Sequence, residues 1–524
     1  MEKKLTRRSM VTKMMQVGFI TIASKAIGFF RQKLWVEYLG LGAIGDAFSS
    51  AYRIPSSLRK IFAEGALSAS AVPTLVTVLK KDGKIQAGRV LSLILIFFQA
   101  VLLIGCIAVA FFAGHVMFFA APGWQCADSE KCFLATKILR ILIFYLPMVS
   151  ASALIASVLQ AAHLFSVPVM VQVLTNVFMV AELWVCLKLN APVVVLAWCM
   201  LLNTVVLLGV SVGFYWYAGF AFGKPNAAAA ISVRDVLWKF IPCAIGLGVT
   251  EINLFIDQQI ASYLPDGSIS LLNNTYAFTR VPLGIFAITF STVLLPHFSR
   301  VVVYAPRRLS FYLLESTKFI WWVTVPISIL MGSLSLKMFF TLFSSPHITA
   351  LQGYQFSNLF NIFIISLFFL SLDKIVLNMF YALHETFLPV FATFISALLN
   401  TLMSVALMPY LGIQGIVLST VLASIFKLGL CIWALKRKFG FVLYPKALGN
   451  FLVRTLVQFS ILGALLYLSY DVLYFCIMQL PGRASYLLLF TMLYWFWVIP
   501  LCLVFAGIAY YTRRLFGIRM HFLD

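Results

Sequence analysis

The sequence predicts an all-α polytopic membrane protein with about fourteen transmembrane helices. Hydrophobic residues make up 62% of the 524 positions and charged residues only 11%, and the mean hydropathy is +0.99. Soluble globular proteins are roughly 45–50% apolar and about 25% charged, so this chain lacks the polar residues that a water-exposed surface needs. Its apolar runs, such as 90–120 and 195–222, are too long for barrel strands of about ten residues and fit helices of about twenty.

Proline, glycine and charged residues bound the apolar runs and set the predicted spans. In chain order these are 14–39, 44–79, 90–120, 133–161, 167–188, 192–221, 233–263, 269–304, 309–343, 356–383, 387–408, 413–435, 448–475 and 484–512. The segment before the first span is basic, but the apolar run after it is long, contains charges and lacks a small-residue cleavage site. We therefore expect a retained first helix.

Most cations between the spans occur at even-numbered connections, as the positive-inside rule requires of cytoplasmic loops. They lie at the two ends of the chain and after the second, sixth, eighth and twelfth spans. The intervening loops contain Asp128, Glu130 and Asp266 and few cations. This pattern predicts cytoplasmic termini. The net charge of +22 is divided among these short clusters without a basic domain, so no nucleic-acid partner is expected.

Ionisable residues are concentrated in the first two predicted helices: Lys25, Arg31, Lys33, Asp46, Arg53, Arg59, Lys60 and Glu64. Charges inside a membrane are costly and indicate functional sites by default. Asp46, Arg53 and Lys60 are seven residues apart and therefore return to nearly the same helix face. Pro55 removes a backbone hydrogen bond and should bend this helix. We expect a mostly cationic face that lines a wet cavity or meets an anion, while Lys60 and Glu64 are also spaced for a structural ion pair.

The second half of the chain contains fewer intramembrane charges. Glu251 and Asp257 are six residues apart and form a candidate site for a coupling cation, Na+ or H+. Arg280 is the charge in this half that we expect to face a shared cavity. Glu315 and Lys318 have the spacing of a pair that neutralises itself.

Neither enzymatic chemistry nor a metal or cofactor site is expected. The nine cysteines and six histidines show no metal-ligand spacing. No phosphate-binding loop is present, and no nucleophile stands near an evident base. Cys126 and Cys132 share a polar loop, where they form a disulfide if the loop faces an oxidising compartment and stay free otherwise.

Three motifs follow one another in the first two predicted helices. They are SKAIGFFRQ from Ser24, GDAF from Gly45, and YRIPSSLRKIFAEGALSASAVP from Tyr52 to Pro73. They resemble the patterns SRxxGFxRD, TDAF and F(K/R)(L/I)PNxLR(R/K)xFAEGAxSxAFVP of the MurJ/MviN family of lipid II flippases, in the multidrug/oligosaccharidyl-lipid/polysaccharide exporter superfamily. Weaker likeness continues in STVLLP from Ser291, FYA from Phe380 and GIQG from Gly412.

The resemblance implies fourteen helices in two lobes around a central cationic cavity, with a groove of the last two helices for a polyprenyl tail. The first lobe would be residues 1–222 with spans 1–6, and the second lobe would be residues 223–440 with spans 7–12. Residues 441–524 would form the groove. It also implies export of lipid II, the undecaprenyl-pyrophosphoryl muropeptide, from the cytoplasmic to the outer leaflet of the bacterial inner membrane by alternating access. The family's cavity residues carry over to Lys25, Arg31, Asp46, Arg53, Arg59 and Glu64, with Lys60 adjacent.

The chain departs from the family pattern at several positions. Lys25 replaces an arginine and so loses the planar fork that binds phosphate through two hydrogen bonds. Gln32 replaces an acidic residue and Ser56 replaces an asparagine. In the eighth predicted helix Ala277 stands where the family has an arginine, and we expect Arg280, almost one turn further on, to serve the same cavity.

These features predict a transporter that acts as a monomer on lipid II among membrane lipids. Arginine and lysine side chains in the cavity would replace the hydration of the pyrophosphate with charge-assisted hydrogen bonds. An inside-negative potential favours anion export by about 2.3 kcal/mol per charge per 100 mV, so the potential or an ion gradient would drive transport. Pro55 and Gly28 are candidate hinges. The alternative is a related exporter of another lipid-linked oligosaccharide or of drugs.

Overall fold

The computed structural model describes residues 27–124, 129–162, 164, 166–343, 349–491 and 493–522, and within these ranges it contains helices and no strand. The chain forms two compact units, Met1–Asn273 and Asn274–Asp524. The helices up to the division are α1 (27–39), α2 (Ala43–Arg59), α3 (Ala66–Phe111), α4 (Ala113–Ala120), α5 (Glu130–Leu142), α6 (Tyr145–Ala161), α7 (Ser166–Lys188), α8 (Val193–Tyr217), α9 (Ala227–Ala261) and the start of α10 (Ser268–Pro282).

The second unit continues from the end of α10. Its further helices are α11 (Thr289–Tyr304), α12 (Leu309–Ser333), α13 (Ser335–Leu342), α14 (Ala350–Ile364), α15 (Ser366–Ala382), α16 (Phe387–Leu411), α17 (Ile413–Phe439), α18 (Pro445–Met478), α19 (Gly482–Phe490) and α20 (Tyr494–Thr512). Two π-helical turns interrupt the series, Lys60–Glu64 after α2 and Leu283–Ile288 after α10.

Eleven helical segments in the described part of the chain are long and apolar enough to cross a membrane. The predicted spans 44–79 and 90–120 fall in one such segment, Ala43–Phe111. Gly83 divides α3 within this segment, because its φ of 78° lies in the left-handed region that favours glycine. The first predicted span begins outside the described residues, and span 269–304 is shared between α10, a π-helical turn and α11. The chain is thus polytopic and all-helical, and the count of fourteen stays a prediction.

Each unit has its own apolar core. In the first unit side chains of α3, α6, α8 and α9 pack together, among them Leu67, Leu154 and Val236. In the second unit the core joins α11, α12, α15, α16 and α17, through residues such as Phe298 and Val376.

Helix α9 belongs to the first unit, although the predicted domain boundary at 222/223 assigns it to the second. The reason is aromatic packing: the ring centroid of Phe240 in α9 lies 5.5 Å from that of Phe62 and 5.2 Å from that of Phe98 in α3. The division therefore falls between Asn273 and Asn274, within α10.

The C-terminal helices and tail pack within the second unit. Trp321 and Trp322 of α12 donate their indole N–H groups to Thr455 Oγ1 at 3.1 Å and Gln458 Oε1 at 3.3 Å in α18. The tail after α20 places Met520 fully buried in a cluster with these tryptophans. The segment 441–524, which the sequence predicted as a separate part, thus shares contacts with α12.

Candidate anion-binding site

Helix α2 places Asp46 against the start of α10. Asp46 is only 1% exposed, and its carboxylate accepts hydrogen bonds from the N–H of Gly267 at 2.7 Å and from the N–H and hydroxyl of Ser270 at 2.7 and 2.8 Å. A carboxylate in this position compensates the free N–H groups of the first helical turn and the positive end of the helix dipole. Gly267 has a φ of 94°, and a Cβ there would lie 2.2 Å from the Leu41 carbonyl oxygen, so only glycine fits.

Lys131, in α5, is a partner of Asp46 that sequence reasoning missed. Its ammonium lies 3.8 Å from Asp46 Oδ2 and 2.5 Å from Asp266 Oδ1. It also lies 4.4 Å from the ring centroid of Trp124, in cation–π contact. No sequence spacing indicates this group, because its members come from four separate segments of the first unit.

Arg53 shares the face of Asp46, as their spacing of seven predicts. Its guanidinium donates to Asn273 Oδ1 at 3.4 Å, so both residues have partners between residues 267 and 273. Pro55 follows, buried within α2. The helix then ends at Arg59 and gives way to the π-helical turn.

Lys60 begins this turn and has a partner on a different helix. Its ammonium lies 2.8 and 2.9 Å from the two carboxylate oxygens of Glu251 in α9. Ser57 donates its hydroxyl to the same carboxylate at 2.9 Å. The side chain of Glu64 lies outside the described residues, so the partner that the structure gives Lys60 is Glu251. The π-helical turn continues after Lys60, whose backbone still has α-helical dihedral angles.

Glu251 and Asp257 are both buried in α9, at 8% and 0% exposure. Both carboxylate oxygens of Glu251 contact the Lys60 ammonium, so a coupling cation at Glu251 would have to compete with Lys60. The cation site stays a prediction. Among the described residues, no group of three or more histidine, cysteine, aspartate or glutamate side chains could hold a metal ion.

Arg31 lies in α1, and Arg59 is the last residue of α2. Arg31 also donates to Asn176 Oδ1 at 3.0 Å in α7. A Cβ on Gly28 would lie 3.9 Å from the same oxygen, an ordinary contact, so packing does not require glycine there and its hinge role stays a prediction. Lys25 lies outside the described residues.

Two further predicted sites are described in part. Cys132 is disulfide-bonded, whereas Cys126 lies outside the described residues, so their pairing stays a prediction. Arg280 lies near the end of α10 in the second unit, where its side chain is exposed.

Two ion pairs in the second unit lie within one helix or join a helix to a connection. The predicted Glu315–Lys318 pair is confirmed at 2.6 Å, and Glu315 also accepts from the N–H of His521 at 2.7 Å. Lys438 donates to Glu385, in the connection between α15 and α16. This hydrogen bond lowers the pKa of the Glu385 carboxyl below its ordinary value.

Solved structures share this fold over most of the chain. A structure described as lipid II flippase MurJ in an inward closed conformation superposes with a TM-score of 0.76 at 21% identity, over 96% of this chain and 99% of that one. An inward-facing multidrug resistance MATE family transporter of the MOP superfamily superposes with a TM-score of 0.66 at 14% identity, over 80% of this chain and 95% of that one. The fold and the apolar helices together define a multi-pass membrane protein with a transporter fold.

The sequence itself identifies the family. The family model for "Lipid II flippase MurJ" matches residues 35–483, and the chain belongs to this family. A probable lipid II flippase MurJ of Rhizobium tropici is 28% identical over 469 residues, covering 88% of this chain and 87% of that protein. A lipid II flippase MurJ of Burkholderia cenocepacia is 28% identical over 424 residues, covering 78% of this chain and 80% of that protein.

Proposed function

We propose that this protein is a lipid II flippase, which moves the undecaprenyl-pyrophosphoryl muropeptide from the cytoplasmic to the outer leaflet of the inner membrane. The observation that carries the proposal is the family match over residues 35–483. It is supported by the intramembrane cations of the first unit, because a pyrophosphate needs positive partners when it leaves water.

The residues that we propose to bind the pyrophosphate are Lys25, Arg31, Arg53, Arg59 and Lys60 in the first unit, and Arg280 of the second unit is proposed separately as a substrate-binding residue. Arg31, Arg53 and Arg59 support this assignment, since a guanidinium group can form two parallel charge-assisted hydrogen bonds to a phosphate. Asp46 and Glu64 would position this site or gate it, with Pro55 and Gly28 as hinges. The polyprenyl tail would lie along α18 and α20, which expose large apolar side chains such as Tyr467 and Leu503.

The mechanism that we propose is alternating access by a monomer with both termini in the cytoplasm. The membrane potential drives the step, because moving one negative charge outward across 100 mV releases about 2.3 kcal/mol. A cation gradient acting through Glu251 and Asp257 is the alternative driving force. Transport leaves the covalent structure of lipid II unchanged, so the protein is not an enzyme.

Depletion of the protein in a complemented strain tests this function. The amount of lipid II in the outer leaflet is measured with a probe that does not cross the membrane, and the extracted lipid is checked by mass spectrometry. We expect depletion to trap unmodified lipid II in the inner leaflet. Undiminished outer-leaflet lipid II refutes the proposal, and selective loss of another lipid-linked oligosaccharide or of drug export supports the alternative transporter.

A matched pair of arginine variants links the function to the site. Arg59→Gln removes a charged hydrogen-bond donor worth about 1.5–3 kcal/mol, so the rate of lipid II export should fall roughly tenfold or more. Arg483→Gln at the exposed start of α19 is the control and should export lipid II at the normal rate. Equal rates for the two variants contradict the proposed role of Arg59.

A further inference from the structure

Arg31 of α1 has a partner on α7 that is polar but uncharged. Its Nη1 donates to Asn176 Oδ1 at 3.0 Å, and it also donates to the Met179 sulfur, a weaker acceptor, at 3.7 Å. Met179 is buried at 5% exposure, so this second contact lies at a fixed place in the packing of α7. Together the two contacts hold one nitrogen of the guanidinium group against α7.

The other edge of the Arg31 guanidinium group keeps its donors. An arginine side chain has five N–H donors, and two of them belong to Nη1, which has two acceptors. Nε and Nη2 carry the other three, and neither atom has a hydrogen-bond partner in the described part of the chain. This edge is one with which an arginine forms two parallel hydrogen bonds to a phosphate.

The partner of Arg31 also leaves its charge uncompensated. Lys60 and Lys131 of the same unit form ion pairs with the carboxylates of Glu251 and Asp266. Arg31 has no carboxylate within ion-pair distance among the described residues. An amide oxygen accepts a hydrogen bond as a carboxylate does, but it carries no charge to offset that of the arginine. Arg31 is thus held in position with its positive charge intact.

We propose that Asn176 is a positioning residue for anion binding, which orients Arg31 through a neutral acceptor so that the Nε and Nη2 donors meet a diphosphate group. The identity of this anion rests on the proposed function. The sequence did not indicate Asn176, because it is 145 residues from Arg31 and lies in an apolar helix. The inference gives α7 a part in substrate binding.

Two substitutions of Asn176 separate its charge from its hydrogen bond. Asn176→Asp keeps the shape and the acceptor but adds a negative charge, with which the anion must compete for Arg31. Binding of a diphosphate should therefore weaken roughly tenfold or more, as for a lost charged hydrogen bond. Asn176→Ala removes the acceptor and leaves the charge of Arg31, so it should weaken binding less than Asn176→Asp does. If the amide served only to pack α1 against α7, aspartate would replace it well and alanine badly.

Binding to the purified full-length protein in phosphatidylcholine nanodiscs tests this order. The probe is farnesyl diphosphate, followed by calorimetry and corrected for empty nanodiscs. Asn190→Asp is the matched control, since it makes the same charge change at an exposed residue after α7. Asn190 has a φ of 46°, which aspartate also tolerates. Weak binding by Asn176→Asp beside normal binding by Asn190→Asp supports the proposal. Equal affinities of wild type and Asn176→Asp overturn it, whatever the affinity of Asn176→Ala.

Stability and transport give readouts that a packing role would move differently. The ion pair between aspartate and Arg31 should leave the free energy of unfolding of Asn176→Asp unchanged or higher. In proteoliposomes this variant should raise the half-saturating concentration of lipid II and retain the maximal rate, because only the affinity for the anion falls. A lower maximal rate at an unchanged half-saturating concentration contradicts the positioning role.

The wild-type protein separates this inference from the proposed function. If the wild type transports lipid II and Asn176→Asp matches Asn190→Asp in affinity and in half-saturating concentration, the role of Asn176 is refuted and the flippase function stands. If the wild type transports no lipid II, the flippase function is refuted. Weaker binding of farnesyl diphosphate by Asn176→Asp then still supports the positioning of Arg31 for an anion.

Discussion

Replacing Asp46 by asparagine should loosen the junction between α2 and α10. Asparagine has only one acceptor oxygen, which can serve either Ser270 or Gly267. Its NH2 group then faces the donors of the other residue. The variant also loses the attraction to Lys131, 3.8 Å away. A hydrogen bond to a charged group contributes about 1.5–3 kcal/mol and an orphaned buried donor costs about 1–3 kcal/mol. We therefore expect a loss of roughly 2–4 kcal/mol in the free energy of unfolding.

Unfolding in mixed micelles, followed by tryptophan fluorescence, measures the global effect. Hydrogen exchange of the peptide 265–273 measures the local effect at the start of α10, where the amides of Gly267 and Ser270 should exchange faster. The control is Asp82→Asn, since Asp82 is exposed in α3 and its loss should change stability by less than about 0.5 kcal/mol. Equal stability and equal exchange in the two variants would show that Asp46 does not hold α10.

Three other perturbations follow from the contacts described above. Lys60→Met should destabilise the protein by about 1–3 kcal/mol, because it removes one partner of the largely buried Glu251 carboxylate. Glu251→Met in the same chain should recover part of this loss, whereas additive losses would contradict the pairing. Met520→Ala should lower the free energy of unfolding by about 2–5 kcal/mol, because it leaves a cavity. The control Leu515→Ala changes an exposed side chain and should lower it by less than about 0.5 kcal/mol. The pKa of Glu385 is lower in the folded than in the unfolded protein. Its carboxylate therefore contributes to the free energy of unfolding above the ordinary carboxyl pKa of about 4.3, and this contribution is lost as the pH falls through the lowered pKa. Glu385→Gln should therefore reduce stability near neutral pH, and a difference that persists under acid conditions would refute this assignment.

Hydrophobic runs predicted most of the helices because membrane helices are long and apolar on all sides. The predicted spans 387–408 and 413–435 correspond to Phe387–Leu411 and Ile413–Phe439, and the extra residues are polar or flanking ones that hydropathy does not reveal. The spacing of seven correctly placed Asp46 and Arg53 on one face, because α2 is regular up to Arg59.

Partners that are distant in sequence could not be predicted. Lys60 is 191 residues from Glu251, so no local spacing indicates this pair. Lys131 depends on how α5 packs, and the Lys427–Asp373 pair depends on the packing of α15 against α17. Single-sequence patterns report local geometry, whereas these contacts arise from tertiary packing.

Several buried carboxylates have a compensating cation, and this bears on the substrate. The carboxylates of Asp46, Glu251 and Asp373 each lie beside a lysine. A transporter of cationic drugs would require the reverse, with carboxylates left for the substrate. Removing Lys131, which lies outside the proposed substrate site, should therefore reduce mainly the free energy of unfolding, because the buried carboxylate of Asp46 loses its partner. Removing Arg59, which belongs to the proposed substrate site, should instead reduce mainly the rate of lipid II transport, and an Arg59→Gln variant that unfolds readily but still transports lipid II at the normal rate would contradict this distinction.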